Sequence, residues 1–515
     1  MQKDVEKKKG TLDRWMDFIE RVGNALPDPV SLFIILAVIV VVLSAIFGSM
    51  GMSAVHPGTG KTITVVNLLT KDGFRQMYSK AVNNFASFAP LGMVLVCVIG
   101  AAAAEKSGFL VALMQRVMRG AKSWVVTFAI LFVGINANVA GDAGFIVMPP
   151  LAAVIYMGIG RSPVLGMFVA FAGVAGGFCA NMILGMSDAL AYGFTEAAAK
   201  MIDPSYQQSM AVNWYFLIVS CITLTIGGTL LVEKFLVHRF PCTKEDLAKF
   251  DFDESSADLK PEQIRGLKWG LTALAVYLLV LLGMCVGADP LLADPQSHSI
   301  MSPKAPFMSG IILTVAFALL VVGAGYGFGS GKYKNDKDLF ADIVLGFKDM
   351  SSYILLCFFI SQFTSYFAWS NLGMVMAIKG AEVLKELNFT GAPLLIGLVF
   401  VSCIINLFIG SASAKWAILA PIFVPMLMIM GYDPAVAQVA YRIGDSITNP
   451  LSPLFYYTPV ILGYLRRYAP EAGLGTVIAN MIPYSVTFTV IWILQLLVWL
   501  FLDLPLGPGG GIFLK

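Results

Sequence analysis

The chain has 515 residues, 57% of them hydrophobic and only 13% charged, with a mean hydropathy of +0.78, which excludes an ordinary soluble globule. A net charge of +3 from 35 basic and 32 acidic residues is too balanced to suggest a nucleic-acid partner. Seven cysteines without a CxxC pair, most of them inside apolar blocks, imply neither a disulfide framework nor a metal site.

Residues 1–28 are basic and amphipathic and read as a cytoplasmic N-terminus. The apolar run 29–50 is longer than a signal-peptide core and reads as a retained first span. Further blocks long enough to cross a ~30 Å hydrocarbon layer sit at 88–105, 163–194, 211–233, 269–289, 306–328, 351–370, 434–465 and 477–503. They predict an all-α polytopic membrane protein with nine transmembrane helices. Two more apolar stretches, 123–157 and 392–430, break in the middle and read as too short for two full spans each. Each is expected to be a re-entrant hairpin.

With the N-terminus inside, alternate segments assigned to the cytoplasm hold 24 of the 35 basic residues and the outer segments hold 9, the bias that cytoplasmic loops show. The remaining two, Lys415 and Arg442, fall inside the membrane. The C-terminus is then outside and the two hairpins open to opposite sides. The expected divisions are the N-terminus 1–28, spans 29–122, a first hairpin with a broken span 123–210, spans 211–350 with a cytoplasmic loop 235–268, a connecting span and outer interfacial segment 351–391, a second hairpin with a broken span 392–470, and a last span 471–515.

Opposed hairpins suggest an inverted repeat. Gly134 precedes Pro149 by 15 residues, as Gly410 precedes Pro425; the next spans open at Pro163 and Pro434, each with a glycine ten residues on, Gly173 and Gly444. These following spans are poor continuous helices. The first contains Gly173, Gly176, Gly177 and Gly185; in the second, Pro450 and Pro453 each remove a backbone donor, so a break is expected between Gly444 and Pro453. Broken helices facing hairpin tips are a common way to build a midplane transport site, although the same glycines also suit a packing seam.

Arg442 and Asp445 lie three apart in the second broken span. A charge at the bilayer centre costs about 3 kcal/mol on insertion scales, so such residues usually face a cavity; an ion pair between the two is the structural alternative. Arg442 offers a planar fork for a carboxylate, while Asp445 and Asp188 could hold a proton or a cation. At the second tip, GSASAKW (410–416), Ser413 adds a hydroxyl and Trp416 a flat face for an aromatic group, or an anchor at the membrane interface. Asn136, Asn138 and Asp142 at the first tip, with Asn406 and Asn449, supply oxygens of the kind a sodium site uses.

Two glycine-rich runs, GTGKT (58–62) and GAGYGFGSGK (323–332), lack the spacing of a phosphate loop. The three histidines lie at loops or span ends, and neither HExxH nor GxSxG is present. An enzyme is therefore not expected.

The runs LPDPVSLF (26–33), DAGFIVMPPLAA (142–153), GSASAKWAILAPIFVPM (410–426) and YRIGDSITNPLSP (441–453) resemble the AbgT family of p-aminobenzoyl-glutamate transporters, over essentially the whole chain. The resemblance implies a homodimer in the inner membrane, each subunit an elevator-type carrier with a scaffold and a moving transport domain. It implies a substrate site at Asp188, Ser413, Trp416, Pro434, Arg442, Asp445 and Pro453, and a cation such as sodium at Asn406 and Asp445. With the oxygens read above, ion coupling is expected through Asn406, Asp445, Asp188, Asn138 and Asn449. No other cofactor is implied. Lys415 could add a second cation for a two-carboxylate ligand or point to the outer water.

The function this favours is secondary active transport of p-aminobenzoyl-glutamate or related aromatic amine acids, including p-aminobenzoate and sulfonamides, coupled to a proton or sodium gradient. A sodium-coupled dicarboxylate carrier, a passive channel and a membrane amidase are the competing readings.

Overall fold

The computed structural model describes residues 27, 29–55, 60–118, 122–140, 143–243, 259–287, 290–300, 302, 305–452, 455 and 457–514. Pro453, Asp142, the N-terminal 26 residues and most of the loop after Arg239 lie outside the described residues.

The first helix, α1 (Pro29–Ser49), is followed by a short antiparallel ladder in which Ser53 faces Thr64. Next come α2 (Lys71–Ala86), α3 (Ala89–Lys106) and α4 (Phe109–Met118). The sequence reading passed over α2, an amphipathic helix with Phe74, Tyr78 and Val82 exposed at four-residue spacing, the pattern of a helix lying in a membrane interface.

Helices α5 (Ser123–Asn136) and α6 (Ala143–Gly158) form the arms of the first hairpin, with a 3₁₀ turn over Ala137–Ala140. The span after it is in two pieces, α7 (Pro163–Phe171), continued by a π turn to Gly176, and α8 (Met186–Ala199), separated by unwound chain over 177–185. Then follow α9 (Trp214–Leu231), α10 (Pro261–Cys285), α11 (Ile311–Ser330), α12 (Asp336–Asp349), α13 (Ser351–Trp369) and α14 (Leu372–Glu386).

The second hairpin comprises α15 (Gly391–Phe408) and α16 (Ala412–Ile429), joined by a three-residue turn. Its broken span comprises α17 (Pro434–Thr448), a 3₁₀ turn Asn449–Leu451 and α18 (Thr458–Leu465), before the long α19 (Leu474–Leu502).

Among the described residues, eight helices are long and apolar enough to cross a membrane, or nine when α12 and α13, bent by 45°, are taken as one span. The eight include both arms of the second hairpin. At 18 residues each, an arm is about 27 Å long, so 392–430 is not too short for two spans, contrary to the sequence expectation. Helix α10 also starts earlier than expected, because Pro261 can open a helix whose first turn carries Glu262 and remains polar.

The two halves hold their broken spans with the same device. A Cβ on Gly173 would lie 3.1 Å from the Leu131 carbonyl oxygen in arm α5, and one on Gly444 would lie 2.3 Å from the Val399 carbonyl oxygen in arm α15. Both glycines therefore let a broken span pack backbone-to-backbone on the first arm of its own hairpin. The glycine run 323–332 serves similar close packing in α11, where a Cβ on Gly323 would come within 2.4 Å of Ala103 backbone in α3.

That contact carries a stability prediction. Gly323→Ala forces α3 and α11 apart and is expected to destabilise by about 1–3 kcal/mol, as overpacked interiors do. Gly283→Ala in α10, where nothing lies within 4 Å, should leave stability unchanged or raise it by up to about 1 kcal/mol. Thermal unfolding of the two purified variants checks the contrast.

Candidate functional site

The two tips and the two breaks converge on one cavity of about 220 Å³. The second tip contributes Gly410, Ser411, Ala412 and Ser413; the first break contributes Phe178, Cys179, Met186 and Ser187; the second contributes Tyr441, Arg442, Asn449, Phe455 and Tyr457. Asn138 comes from the first tip and Tyr353 from α13. Two helices start at the cavity, α8 at Met186 and α16 at Ala412, so both present their electropositive ends.

One wall is aromatic. Trp416 is fully buried and stacks on Tyr441 with ring centroids 4.4 Å apart. Its indole N–H donates to the Thr195 hydroxyl at 2.9 Å, and that hydroxyl donates to Gln438 at 2.7 Å. The ring is thus locked as part of the cavity wall and is not a membrane-interface anchor. Across from it Phe145 stacks on Tyr457 at 4.3 Å and meets Phe455 edge-on at 5.3 Å.

The charged groups are paired differently from the sequence alternative. Arg442 does not pair with Asp445; its Nη2 lies 2.7 Å from Asp188 Oδ1 across the first break. Asp188 is held in place by its other oxygen, which accepts from Asn181 Nδ2 and from the Gly185 backbone N–H, both at 2.7 Å. The Arg442 contact is out of hydrogen-bonding alignment, and Nε and Nη1 have no acceptor among the described residues, although the whole side chain is buried. A guanidinium with unused donors on the wall of an aromatic cavity is a receptor for a planar anion.

Asp445 faces the other way. Its Oδ1 lies 2.5 Å from Lys415 Nζ, and the Tyr441 hydroxyl, which donates to the Ala412 carbonyl at 2.6 Å, is 3.3 Å from the same oxygen. Lys415 also donates to Asn406 Oδ1 and is 1% exposed. It therefore points neither to the outer water nor into the cavity.

Asn406 in turn donates to the Asp445 carbonyl at 2.6 Å and to Thr448 at 2.8 Å. This ties the end of α17 to α15. The two oxygens expected to hold a sodium ion, Asn406 Oδ1 and Asp445 Oδ1, are thus both taken by an ammonium of the chain itself. The residues present do not fit a sodium ion there.

Of the sequence-expected residues, Ser413, Trp416, Arg442, Asn138 and Asn449 line the cavity, and Asp188 sits directly behind Arg442. Asn138 donates to the Phe178 carbonyl, leaving its own oxygen buried and unpartnered. Asp445 and Asn406 are buried one layer back. Pro434 opens α17 as its first residue, eight residues and so about 12 Å of helix from Arg442, and is not on the cavity wall. The sequence reading missed Tyr441, Asn181 and the unused hydroxyl of Ser187. Tyr441 was the accessible one, being next to Arg442 and four residues before Asp445.

The comparisons with known proteins agree with this architecture. The AbgT putative transporter family matches residues 14–514. The p-aminobenzoyl-glutamate transport protein of Escherichia coli (strain K12) is 36% identical over 500 residues, 97% of this chain and 96% of that protein. The crystal structure of the Alcanivorax borkumensis YdaH transporter, noted for an unusual topology, superposes with a TM-score of 0.88 at 38% identity, covering 94% of this chain and 100% of that one. Neisseria gonorrhoeae MtrF, described as illuminating a class of antimetabolite efflux pumps, gives a TM-score of 0.89 at 37% identity over 96% of this chain and 100% of its own. The chain belongs to the AbgT family of multi-pass membrane transporters and is not an enzyme.

Proposed function

We propose that the protein is a secondary carrier for p-aminobenzoyl-glutamate and related aromatic amine acids, p-aminobenzoate and sulfonamides among them, driven by an ion gradient across the inner membrane. The observation that carries this reading is the pair of unused donors on Arg442, Nε and Nη1, set in a cavity walled by Trp416, Tyr441 and Phe145. A carboxylate docks on the fork and the arylamine lies between the aromatic walls. A second carboxylate, where the substrate has one, meets Ser411 and Ser413 at the start of α16. The relatives named for p-aminobenzoyl-glutamate and for antimetabolites support the same chemistry.

In this proposal the hairpins and broken spans, 123–210 and 392–470, form an inverted repeat and move together against the remaining spans, which hold two subunits as a dimer. The N-terminus faces the cytoplasm. Of the two buried acids expected to couple an ion, Asp445 is occupied by Lys415, which leaves Asp188, the one that shares its counter-ion with the substrate, for that role.

The test is uptake and counterflow of labelled p-aminobenzoyl-glutamate in proteoliposomes, with p-aminobenzoate, a sulfonamide and an aliphatic dicarboxylate as competitors. Competition by the aliphatic dicarboxylate alone would replace this reading with a dicarboxylate carrier.

Three variants refine it. Arg442→Lys keeps the charge opposite Asp188 but loses the fork; with about 1.5–3 kcal/mol lost, the half-saturation concentration should rise by roughly tenfold or more. Trp416→Leu should weaken aromatic substrates by about 1 kcal/mol, roughly fivefold, through the lost ring contact. Asp188→Asn should abolish gradient-driven accumulation yet retain counterflow exchange, and unaltered accumulation would remove Asp188 from coupling.

A further inference from the structure

Lys415 is a full charge placed one helical turn inside α16, 1% exposed, with no access to the cavity. A buried lysine needs a reason, because burying an ammonium is unfavourable unless its partners compensate it fully. Its partners here are Asp445 Oδ1 at 2.5 Å and Asn406 Oδ1, with the Tyr441 hydroxyl on the same carboxylate oxygen at 3.3 Å. A carboxylate oxygen and an amide oxygen are donors of the kind that hold a hard monovalent cation. The two come from α17 and α15, and the lysine reaches both from α16.

We propose that Lys415 is a tethered cation: its ammonium permanently fills a position built for a monovalent ion, so this carrier binds no sodium there and works without it. The side chain closes the same junction that a bound ion would close, between the second hairpin and the start of the break. Because the cation is covalently part of α16, its effective concentration at the junction does not depend on the medium. Removing the ammonium uncovers the site. With alanine at 415, Asp445 is left uncompensated beside a free amide oxygen and a gap the size of the lost side chain, which a sodium ion from the medium can enter, exchanging part of its hydration shell for these oxygens.

The experiment is equilibrium binding of ²²Na⁺ to the full-length purified protein, alongside thermal unfolding in sodium chloride and in choline chloride at equal ionic strength. The wild type should bind no sodium saturably and unfold at the same temperature in both salts. Lys415→Ala should unfold several degrees lower in choline and recover with rising sodium, following mass action, with saturable ²²Na⁺ binding. Lys415→Arg, which keeps a tethered cation, should stay indifferent to sodium.

Should Lys415→Ala not fold in either salt, Lys415→Gln takes its place in the same two measurements. Saturable sodium binding by the wild type overturns the proposal, and so does a folded Lys415→Ala or Lys415→Gln that shows no response to sodium. A transport arm rests on the carrier reading: uptake by the wild type should be the same with sodium or choline on both sides. The binding arm needs no substrate, so its outcome is independent of whether the substrate has been identified.

Discussion

Helix α17 carries two opposite charges three residues apart, and each is neutralised by a different part of the fold. Arg442 reaches Asp188 in the first half of the chain, and Asp445 reaches Lys415 in the second hairpin. Four charges buried at membrane depth are tolerable only when each has its partner; removing one partner of such a pair typically costs about 3–5 kcal/mol. That requirement dictates much of the surrounding architecture. The first break must bring Asp188 to within 2.7 Å of Arg442, so α8 starts at Met186 and Asp188 closes the turn by accepting from the Gly185 N–H. The second tip must deliver Lys415, so α16 starts three residues before it, capped by Ser411 accepting from Ala414.

The close packing of the broken spans follows from the same demand. A charge pair is held in register only if the backbones carrying it cannot slide, and small residues allow the tightest backbone contact in a membrane. Gly173 against Leu131 and Gly444 against Val399 are that contact, once in each half. The C-terminal tail adds a clasp of the same kind. Gly507 and Gly510 lie against the backbone of Ala211 and Val212, and the Asp433 N–H donates to the Ile512 carbonyl at 2.9 Å. The last residues of the chain thus bind the starts of α9 and α17 together.

Much of this was legible in the sequence, and the limits were physical. The spans, the two hairpins and both breaks follow from apolar runs interrupted by glycine and proline, because an unbroken helix is the default answer to unsatisfied backbone groups in lipid. The glycines of 163–194 were readable either as a break or as a seam, and the structure uses them as both: Gly173 packs, while Gly185 has extended backbone and caps α8. The pairing of charges was not legible. Arg442 and Asp445 are about 60° apart around a helix of 3.6 residues per turn, close enough to suggest one face and a pair, yet enough to aim them at different neighbours. Choosing between those outcomes requires knowing that α8 and α16 flank α17, and that is a property of the assembled fold. The length of the second hairpin was misjudged for a simpler reason: a turn of only three residues leaves almost the whole stretch to its two arms.

Charge balance supplies a physical reason for the ion coupling of the proposed carrier. The four buried charges sum to zero, so the cavity before loading is neutral. In the carrier we propose, a substrate carboxylate that docks on Arg442 adds one negative charge to a site whose own charges are already balanced. Arg442 then divides its attraction between the substrate and Asp188, and the carboxylate of Asp188 becomes the least compensated charge in the site. A cation that arrives with the substrate beside Asp188 restores neutrality at the point where it was lost, and its departure with the substrate returns Arg442 to Asp188. A cation bound elsewhere would compensate less, because the attraction falls with distance and the nearest position suited to one is already filled by Lys415. Substrate and coupling ion then favour each other's binding reciprocally, as linkage between two sites requires, and in the proposed carrier a gradient of one can drive the other.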